Sequence, residues 1–136
     1  AGGAAAAPPA AALRVSLPPC EIDYCVMDVT AMTYLDASLD CVVDKATLDT
    51  MCQLDDDPTL GHSQASKMLR EACRVLRPGG HYVCLTYGDP EMRLPLLSAS
   101  GLAWDGQHSV AQHEVWKNKA VFYMYVMRKR GGAGVE

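Results

Sequence analysis

The chain has 136 residues, of which 49% are hydrophobic and 21% are charged, and this is the composition of one globular domain. Its net charge of −4 argues against a nucleic-acid partner, because phosphate binding needs a basic surface. No apolar run approaches the ~20 residues that a membrane-spanning helix needs, so we expect no membrane partner either.

The cysteines indicate a reduced, intracellular protein. There are six, and no two of them form a C-x-x-C pair. Several lie in apolar runs, where cysteine behaves as a small hydrophobic residue. We therefore predict neither disulfides nor a metal site, and a cytoplasmic location. The alanine-rich start leaves the mitochondrion as the alternative location, since organelle transit peptides can begin in this way.

The first half of the chain contains few strong patterns. Its alanine- and proline-rich start, residues 1–19, is predicted to be disordered. The run 22–27 is apolar and β-prone and is predicted to be a strand. A loop over 28–38 leads to a short apolar run at 39–43, which suits a buried strand. A short helix over 47–52 follows and ends at an acidic loop.

The second half has clearer periodicity. An amphipathic helix is predicted over 64–76, because small and apolar residues recur there at spacings of three and four. Ser63 is its expected N-cap, and a Pro-Gly-Gly turn at 78–80 ends it. The run 81–87 is apolar on both faces, which predicts a parallel strand covered by helices on both sides. The remaining predicted elements are a short helix at 89–97, two strands near 103–110 and 119–128, and a flexible tail at 132–136.

In this order the elements predict an α/β fold whose parallel sheet ends in an antiparallel hairpin. Two groups of polar residues follow its strands, at the edge where open α/β sheets bind ligands. Asp28 ends the strand at 22–27, and its carboxylate can accept a hydrogen bond from a purine amine; the alternative is that it caps a turn. Residues 44–49 read Asp-Lys-Ala-Thr-Leu-Asp and follow the strand at 39–43. They either bind an amine or another charged ligand, or pair locally and cap the next helix.

Together these segments resemble the carboxyl-terminal half of a class I S-adenosylmethionine-dependent methyltransferase, over about residues 22–131. The branch they are most similar to is the methyltransferase-like protein lysine methyltransferases. This branch includes the elongation factor 1-alpha lysine methyltransferases, the endothelin-converting-enzyme-2-associated methyltransferase and the citrate synthase-lysine methyltransferase. Its fourth strand ends in a Lys-Gly-Thr-Leu/Trp-Asp signature, in which Ala46 here replaces the glycine. The residues that match are Lys45, Thr47, Leu48 and Asp49. The RVLRPGG turn, the DPEMRLP segment and the tail FYMYVMRKRGG are also similar to members of the family.

The resemblance implies a partial Rossmann-like sheet equivalent to strands 3–7 of the family, with S-adenosylmethionine as the cofactor. It implies a protein substrate, with a translation elongation factor as one candidate. Asp28 would contact the adenine through its side chain and Val29 through its backbone, and Lys45 would lie at the cofactor pocket. Methyl transfer from an activated sulfonium needs little acid–base chemistry, so we assign no catalytic base.

The sequence departs from the family where the cofactor's methionine and ribose are held. The family uses a glycine-rich loop and an acid at the ends of its first two strands, whereas the only glycines before Asp28 are Gly2 and Gly3 in the alanine-rich start. We therefore expect residues 20–131 to be the carboxyl-terminal part of a methyltransferase domain, truncated and inactive by itself. The alternative is a non-catalytic relic or a protein-interaction module with the same half-fold.

The same departure bears on the sheet. The family's strand order is 3-2-1-4-5-7-6, so a sheet without strands 1 and 2 has unpaired edges. Unpaired edges favour association with another chain, and we expect self-association. We also expect residues 39–128 to form the ordered core and residues 1–30 to be the least well packed.

Overall fold

The computed structural model describes residues 19–55, 63–114 and 120–131. Its elements are β1 (Leu39–Lys45), α1 (Thr47–Leu54), α2 (Gln64–Val75), β2 (Leu76–Thr86), α3 (Pro90–Leu97), β3 (Trp104–Glu114) and β4 (Val121–Lys129). Each of them has a counterpart among the elements predicted from the sequence. The predicted disordered segment 1–19, apart from Pro19, and the predicted tail 132–136 lie outside the described residues.

The described strands form one mixed sheet in the order β1-β2-β4-β3. β1 and β2 run parallel, whereas β4 runs antiparallel to both β2 and β3. This confirms the α/β fold and its terminal antiparallel hairpin. The order also matches the last four positions of the sheet that the family resemblance implied.

The helix α2 forms because its small and apolar residues recur on one face. The buried residues of this face are Ala65, Met68, Leu69, Ala72 and Cys73. Ser63 caps the helix as predicted, because its Oγ accepts a hydrogen bond from the Ser66 N–H at 3.1 Å. At the other end the chain turns directly into β2. Gly79 there has a φ of +80°, and a Cβ on Gly80 would lie 2.9 Å from the Asp40 carbonyl oxygen. Both glycines lie within β2, at the point where its register with β1 shifts, so this irregular part of the strand requires them.

The hydrophobic core lies on one face of the sheet. Alternate residues of β2 and β4 point into it, including Tyr82, Cys84, Tyr125 and Met127. They form a single cluster with core residues of α1, α2 and α3, so the described helices all pack on this face. The prediction of helices on both faces is therefore wrong for the described residues. An apolar run shows that a strand can be buried on both faces, but it does not show which elements cover each face.

The opposite side of the sheet, which we call the open face, carries apolar side chains that no described helix covers. Its residues include Val43, Val83, Leu85, Phe122, Met124 and Val126. Val43 on the edge strand β1 is 66% exposed, whereas those on β2 and β4 are half-buried. The open face is therefore partly apolar surface that remains in contact with solvent.

The predicted strand at 22–27 does not form, so this prediction is wrong. The segment pairs with no described strand, and Tyr24 and Val26 are 92% and 106% exposed. A β-prone run becomes a strand only where another strand can pair with it. Among the described strands β1 is at the edge and pairs only with β2. The sheet of the described residues therefore has equivalents of the family's strands 4–7, without strand 3.

The segment that follows is held along α2 instead. The Glu71 carboxylate accepts a hydrogen bond from the Met32 N–H at 2.7 Å, and Arg74 donates to the Met32 carbonyl at 2.9 Å. Arg74 also forms an ion pair with Asp36 at 2.6 Å. These contacts lead the chain into β1, whereas residues 19–26 are exposed throughout. For the described residues, this agrees with the expectation that the first thirty residues are the least well packed.

None of the helices in the described ranges has both the length and the apolarity needed to cross a membrane. All six cysteines are among the described residues, and no disulfide joins them. In the part of the chain that the structure describes, no group of three His, Cys, Asp or Glu side chains is arranged to hold a metal ion.

Candidate functional site

The carboxyl ends of β1 and β2 meet at one edge of the sheet, because the two strands are parallel. Lys45, the last residue of β1, lies beside Leu85 of β2. The start of β4 lies at the same edge, since β4 is antiparallel to β2 and places Tyr123 opposite Thr86. Open α/β sheets bind their ligands outside this edge, so it is the candidate site of the described fold.

Asp44, the first carboxylate of the 44–49 segment, points into the core and caps α1. Its oxygens accept hydrogen bonds from the Thr47 N–H at 2.7 Å and the Leu48 N–H at 3.1 Å. The Tyr82 hydroxyl donates to it at 2.8 Å, and the Cys84 thiol lies 3.4 Å away. Of the two interpretations of this residue, helix capping is the one that the structure supports. Asp44 is occupied by protein donors and is not a ligand for a substrate.

The two side chains that donate to Asp44 stay neutral near physiological pH. Burial raises the pKa of the Cys84 thiol to about 12 and raises the pKa of Tyr82 well above its usual value. Since the thiolate is the nucleophilic form of cysteine, Cys84 is chemically inert in the fold. We therefore assign it a structural role.

Ala46 lies between β1 and α1 in the left-handed region, with φ of 61° and ψ of 9°. Glycine adopts this conformation without a penalty, whereas an alanine Cβ approaches the following carbonyl oxygen. The family signature has glycine here, and the turn explains why. The backbone conformation is the one that glycine favours, although the residue is alanine.

Asp49, the last residue of the signature, forms a buried ion pair with Arg93 of α3. Their side chains are 14% and 7% exposed, and the Arg93 Nη2 lies 2.5 Å from the carboxylate. Thr86 Oγ1 donates to the same carboxylate, and the Tyr87 N–H donates to its second oxygen at 3.1 Å. A Cβ on Gly88 would collide with the Arg93 guanidinium, so glycine is needed next to the pair. The network therefore fixes the path of the chain after β2.

The same network sets the protonation of Asp49. Burial raises the pKa of this carboxyl, but hydrogen bonds from Thr86 and Arg93 outweigh the effect of burial, and the pKa lies below its usual value. Asp49 therefore stays ionised and paired at neutral pH. Its role in the fold is to position the loop after β2.

Lys45 is exposed and lines a cavity of about 390 Å³ on the open face, at the carboxyl edge. Most of the lining is apolar or aromatic. The rings of Tyr87 and Phe122 meet there with centroids 4.4 Å apart. The sequence analysis predicted that Lys45 lies at the cofactor pocket, and this role stays a prediction; the structure shows an apolar cavity beside Lys45. It also adds the aromatic walls, which come from β4 and from the loop after β2.

Asp28 is exposed and caps a turn. Its Oδ1 accepts hydrogen bonds from the Thr30 N–H at 2.8 Å and from the Thr30 hydroxyl at 2.7 Å. The Thr30 N–H bond, followed by the hydroxyl bond, lowers the pKa of Asp28, so it is ionised at neutral pH. The charge of Lys67, in the first turn of α2, is the smallest of the contributions and also lowers this pKa. The structure therefore supports the turn-capping interpretation of Asp28, and its carboxylate remains accessible to solvent.

Val29 is half-buried and packs against the core cluster, which anchors the turn next to Asp28. No hydrogen bond or ion pair joins Asp28 to Lys45 within the described residues. The two sit differently around the sheet, because Val29 anchors the turn of Asp28 to the core on the helix-covered face, whereas Lys45 lines a cavity on the open face. The structure therefore does not bring the predicted site residues together in one cluster.

Sequence reasoning missed three contributors to this edge: Arg93, Tyr87 and Phe122. Nothing in the spacing of Arg93 marks it as the partner of Asp49, because 44 residues separate them. Tyr87 and Phe122 carried a detectable signal. Each alternates with core residues of its strand, and this alternation predicts that both point to the open face.

Comparison with known proteins gives a consistent result. Residues 5–84 match the family model described as a methyltransferase domain. The EEF1A lysine methyltransferase 4 of Mus musculus is 30% identical over 107 residues, which are 76% of this chain and 40% of that protein. The eEF1A lysine and N-terminal methyltransferase of Homo sapiens is 39% identical over 66 residues, 48% of this chain and 9% of that protein. The mitochondrial citrate synthase-lysine N-methyltransferase of Danio rerio is 29% identical over 99 residues, 71% of this chain and 37% of that protein.

Solved structures share the fold. A SAM-dependent methyltransferase from Methanosarcina mazei superposes with a TM-score of 0.54 at 18% identity, over 76% of this chain and 65% of that one. A possible histamine N-methyltransferase from Thermotoga maritima gives 0.53 at 16% identity, over 75% of this chain and 61% of that one. The chain spans about 40% of the length of the first curated relatives that it matches. These findings confirm the resemblance drawn from the sequence and, at the level of the family, S-adenosylmethionine as the cofactor.

Proposed function

Because the chain belongs to the methyltransferase domain family, we propose that it is the acceptor-facing part of an S-adenosylmethionine-dependent methyltransferase that modifies a lysine side chain of a protein. In this proposal residues 20–131 are the carboxyl-terminal part of the catalytic domain. Relatives named as lysine methyltransferases of elongation factor 1-alpha and citrate synthase support lysine as the acceptor.

The observation that carries the proposal is the geometry of the signature at the end of β1. Ala46 has the left-handed backbone that the signature's glycine provides, and Asp49 is locked by Arg93. Lys45 is thereby placed at a cavity on the edge of the sheet that binds ligands.

The bound cofactor would supply a methyl group that its sulfonium has already activated. The acceptor nitrogen uses its lone pair to form the new N–C bond, the S–C bond breaks, and its electron pair stays on sulfur. The amine must have lost its proton to water beforehand. The task of the protein is thus to align the amine in line with the methyl and to keep it neutral. This needs no catalytic base, and we propose none.

The described residues fit one end of the cofactor. Asp28 is an ionised, exposed acceptor suited to the adenine amine, and Val29 offers its backbone beside it, whereas Lys45 lies apart from both, at the cavity on the open face. The methionine and ribose ends need fixed donors and an acid, and residues 19–27 contain neither a glycine nor a strand. We therefore propose that the purified chain of 136 residues binds S-adenosylmethionine weakly or not at all.

Isothermal titration calorimetry tests this part of the proposal. The chain is compared with the same chain joined, before Cys20, to the amino-terminal part of EEF1A lysine methyltransferase 4, which we call the extended form. We expect saturable binding by the extended form only. A low-micromolar dissociation constant for the chain by itself would show that it holds the cofactor without this added amino-terminal part.

Methyl transfer tests the acceptor. The extended form is incubated with methyl-labelled S-adenosylmethionine and either elongation factor 1-alpha or citrate synthase, and the labelled amino acid is identified after acid hydrolysis. Methyllysine supports the proposal. An extended form that binds the cofactor but labels no lysine in either protein would favour the alternative, a non-catalytic protein-interaction module. We propose a cytoplasmic location, with the mitochondrion as the alternative. Fractionation of cells distinguishes the two locations.

A further inference from the structure

We propose that Glu71 and Arg74 of α2 are positioning residues for cofactor binding, because they fix in place the turn that carries Asp28. The proposal rests on the proposed function and deepens it, since the two residues would act on the adenine end of S-adenosylmethionine through Asp28. We call residues 28–31 the Asp28 turn, and we call the two side chains of α2 the Glu71–Arg74 bracket.

The bracket holds one residue of the chain by both of its backbone polar groups. Glu71 Oε2 accepts a hydrogen bond from the Met32 N–H at 2.7 Å, and Arg74 Nη2 donates to the Met32 carbonyl oxygen at 2.9 Å. Met32 directly follows the Asp28 turn. Arg74 Nη1 also donates to the Tyr34 carbonyl oxygen at 2.9 Å. The chain therefore leaves the turn along a path that α2 fixes.

The two side chains of the bracket also hold each other. Glu71 and Arg74 are three residues apart, so they are neighbours on the surface of the helix. Arg74 Nε donates to Glu71 Oε1 and Arg74 Nη2 donates to Glu71 Oε2, each at 2.8 Å, and this bidentate contact fixes the plane of the guanidinium. The hydrogen bond from Arg74 is the largest of the effects that set the pKa of Glu71, and this pKa lies below its usual value. Glu71 is therefore ionised at neutral pH.

The Asp28 turn has a second anchor in Val29, which packs against the core cluster. On the amino-terminal side of the turn, residues 19–26 are exposed and pair with no described strand. An apolar contact at one residue leaves the turn free to rotate about that residue, whereas a second fixed point at Met32 removes this freedom. The bracket therefore sets the direction in which the Asp28 carboxylate points.

A turn that is already in place favours binding, because the ligand does not have to order it. Without the bracket the Asp28 carboxylate is still present, but the turn must be ordered before that carboxylate can accept a hydrogen bond from adenine. The alternative is that the bracket only leads the chain into β1. That alternative predicts no energetic coupling between Arg74 and Asp28.

Hydrogen exchange of the full chain, followed by NMR, tests the bracket without a cofactor. The reporters are the Thr30 and Ala31 amides, which donate to the Asp28 carboxylate at 2.8 Å and to the Asp28 carbonyl oxygen at 3.1 Å. Because neither amide donates to the bracket, each reports the order of the turn itself. We expect Arg74→Met to speed their exchange about fivefold, which corresponds to the loss of about one hydrogen bond.

Three further variants separate the bracket from general effects. Glu71→Gln keeps an oxygen that can accept from the Met32 N–H, so it should speed the exchange of the two reporter amides less than Glu71→Ala does. Arg77→Met is the matched control and should leave both reporters unchanged, because Arg77 pairs with Asp40 on the surface. Slow exchange of the β2 amides in every variant shows that the fold is intact.

Calorimetry of the extended form then tests whether the bracket acts through Asp28. Arg74→Met should raise the dissociation constant of S-adenosylmethionine about fivefold. In an Asp28→Ala background the same substitution should lose most of this effect, since the group that the bracket positions is absent. Arg77→Met should leave the dissociation constant unchanged in both backgrounds.

Unchanged exchange of the two reporter amides in Arg74→Met would overturn the proposal. An equal effect of Arg74→Met on binding in both backgrounds would also overturn it, because a side chain that only supports the fold weakens binding whether or not Asp28 is present. Failure of the proposed function looks different. In that case the unsubstituted extended form binds no S-adenosylmethionine, while hydrogen exchange of the 136-residue chain still decides whether the bracket holds the turn.

Discussion

Arg93 and Asp49 form a buried ion pair that ties the middle of α3 to the first turn of α1, with the Arg93 Nη2 2.5 Å from the carboxylate. Arg93 Nε also donates to Thr86 Oγ1 at 3.1 Å, so both partners meet the last residue of β2. One interaction thus joins two helices and the carboxyl edge of the sheet. It also holds the backbone of Tyr87, whose side chain lines the cavity beside Lys45.

Arg93→Met should destabilise the protein strongly. Removing one partner of a buried pair leaves the other charge buried and unpaired, which costs about 3–5 kcal/mol. The matched control is Arg77→Met, because Arg77 pairs with Asp40 at 2.5 Å on the surface with both side chains more than half exposed. That loss should be about 0–1 kcal/mol. Denaturant unfolding measures both, and similar free energies of unfolding for the two variants would contradict a structural role for the Arg93 pair.

The lowered pKa of Asp49 predicts an acid-sensitive part of the stability. The folded protein holds this pKa below the usual value of 3.8, so the unfolded state binds a proton more readily. The resulting stabilisation is present above the unfolded pKa and is lost as the pH falls through the lower, folded pKa. Unfolding measured from about pH 6 down to about pH 3 should therefore show a fall in stability that is smaller in Asp49→Asn. An identical slope in the variant would remove Asp49 from this effect.

Ala46→Gly should stabilise the protein. Alanine in the left-handed region costs about 1–2 kcal/mol, and the extra backbone entropy of glycine offsets part of this, which leaves a gain of about 1 kcal/mol. Ala111→Gly is the control, because Ala111 lies in the extended strand β3 and gains nothing from the change. It should lose about 0.5–1 kcal/mol. Thermal unfolding compares the three chains, and destabilisation by Ala46→Gly would mean that the turn has a different conformation in solution.

Asp28→Ala should weaken S-adenosylmethionine binding by the extended form more than Asp36→Ala does. A lost hydrogen bond to a charged acceptor costs about 1.5–3 kcal/mol. Asp36 is a suitable control, since it is a nearby carboxylate that already pairs with Arg74 and is 80% exposed. Calorimetry measures the two dissociation constants. Equal values would exclude Asp28 from the cofactor site.

We expect the purified chain to self-associate through β1, the described edge strand that pairs only with β2. Its unpaired donors and acceptors and the exposed Val43 favour pairing with a second chain. Val43→Lys places a charge on this edge and should shift sedimentation velocity profiles toward the monomer. Amides of Cys25–Val29 should exchange quickly with solvent. Strong protection of these amides in a demonstrated monomer would instead show that the 22–29 segment finds a strand partner.

The candidate site was partly predictable, because its signature is local. The positions of Lys45 and Asp49 follow from their place directly after a predicted strand, and Ala46 was identified as the departure from the signature. The cavity beside Lys45 was not predictable in the same way. It needs the register between strands that are distant in the chain, and the pairing of Arg93 with Asp49 likewise spans 44 residues.

The sequence by itself determined β1, α2, β2 and the hairpin of β3 and β4, because each has a hydrophobic period or an N-cap that acts over a few residues. Only the tertiary structure decided whether the run 22–27 forms a strand and which face of the sheet the helices cover. A β-prone run is a strand only when a partner strand is present, and an apolar face is buried only when another element lies on it. Both conditions depend on residues elsewhere in the chain. The local pattern therefore predicted that a segment could form a strand or be buried, and tertiary packing determined whether it did.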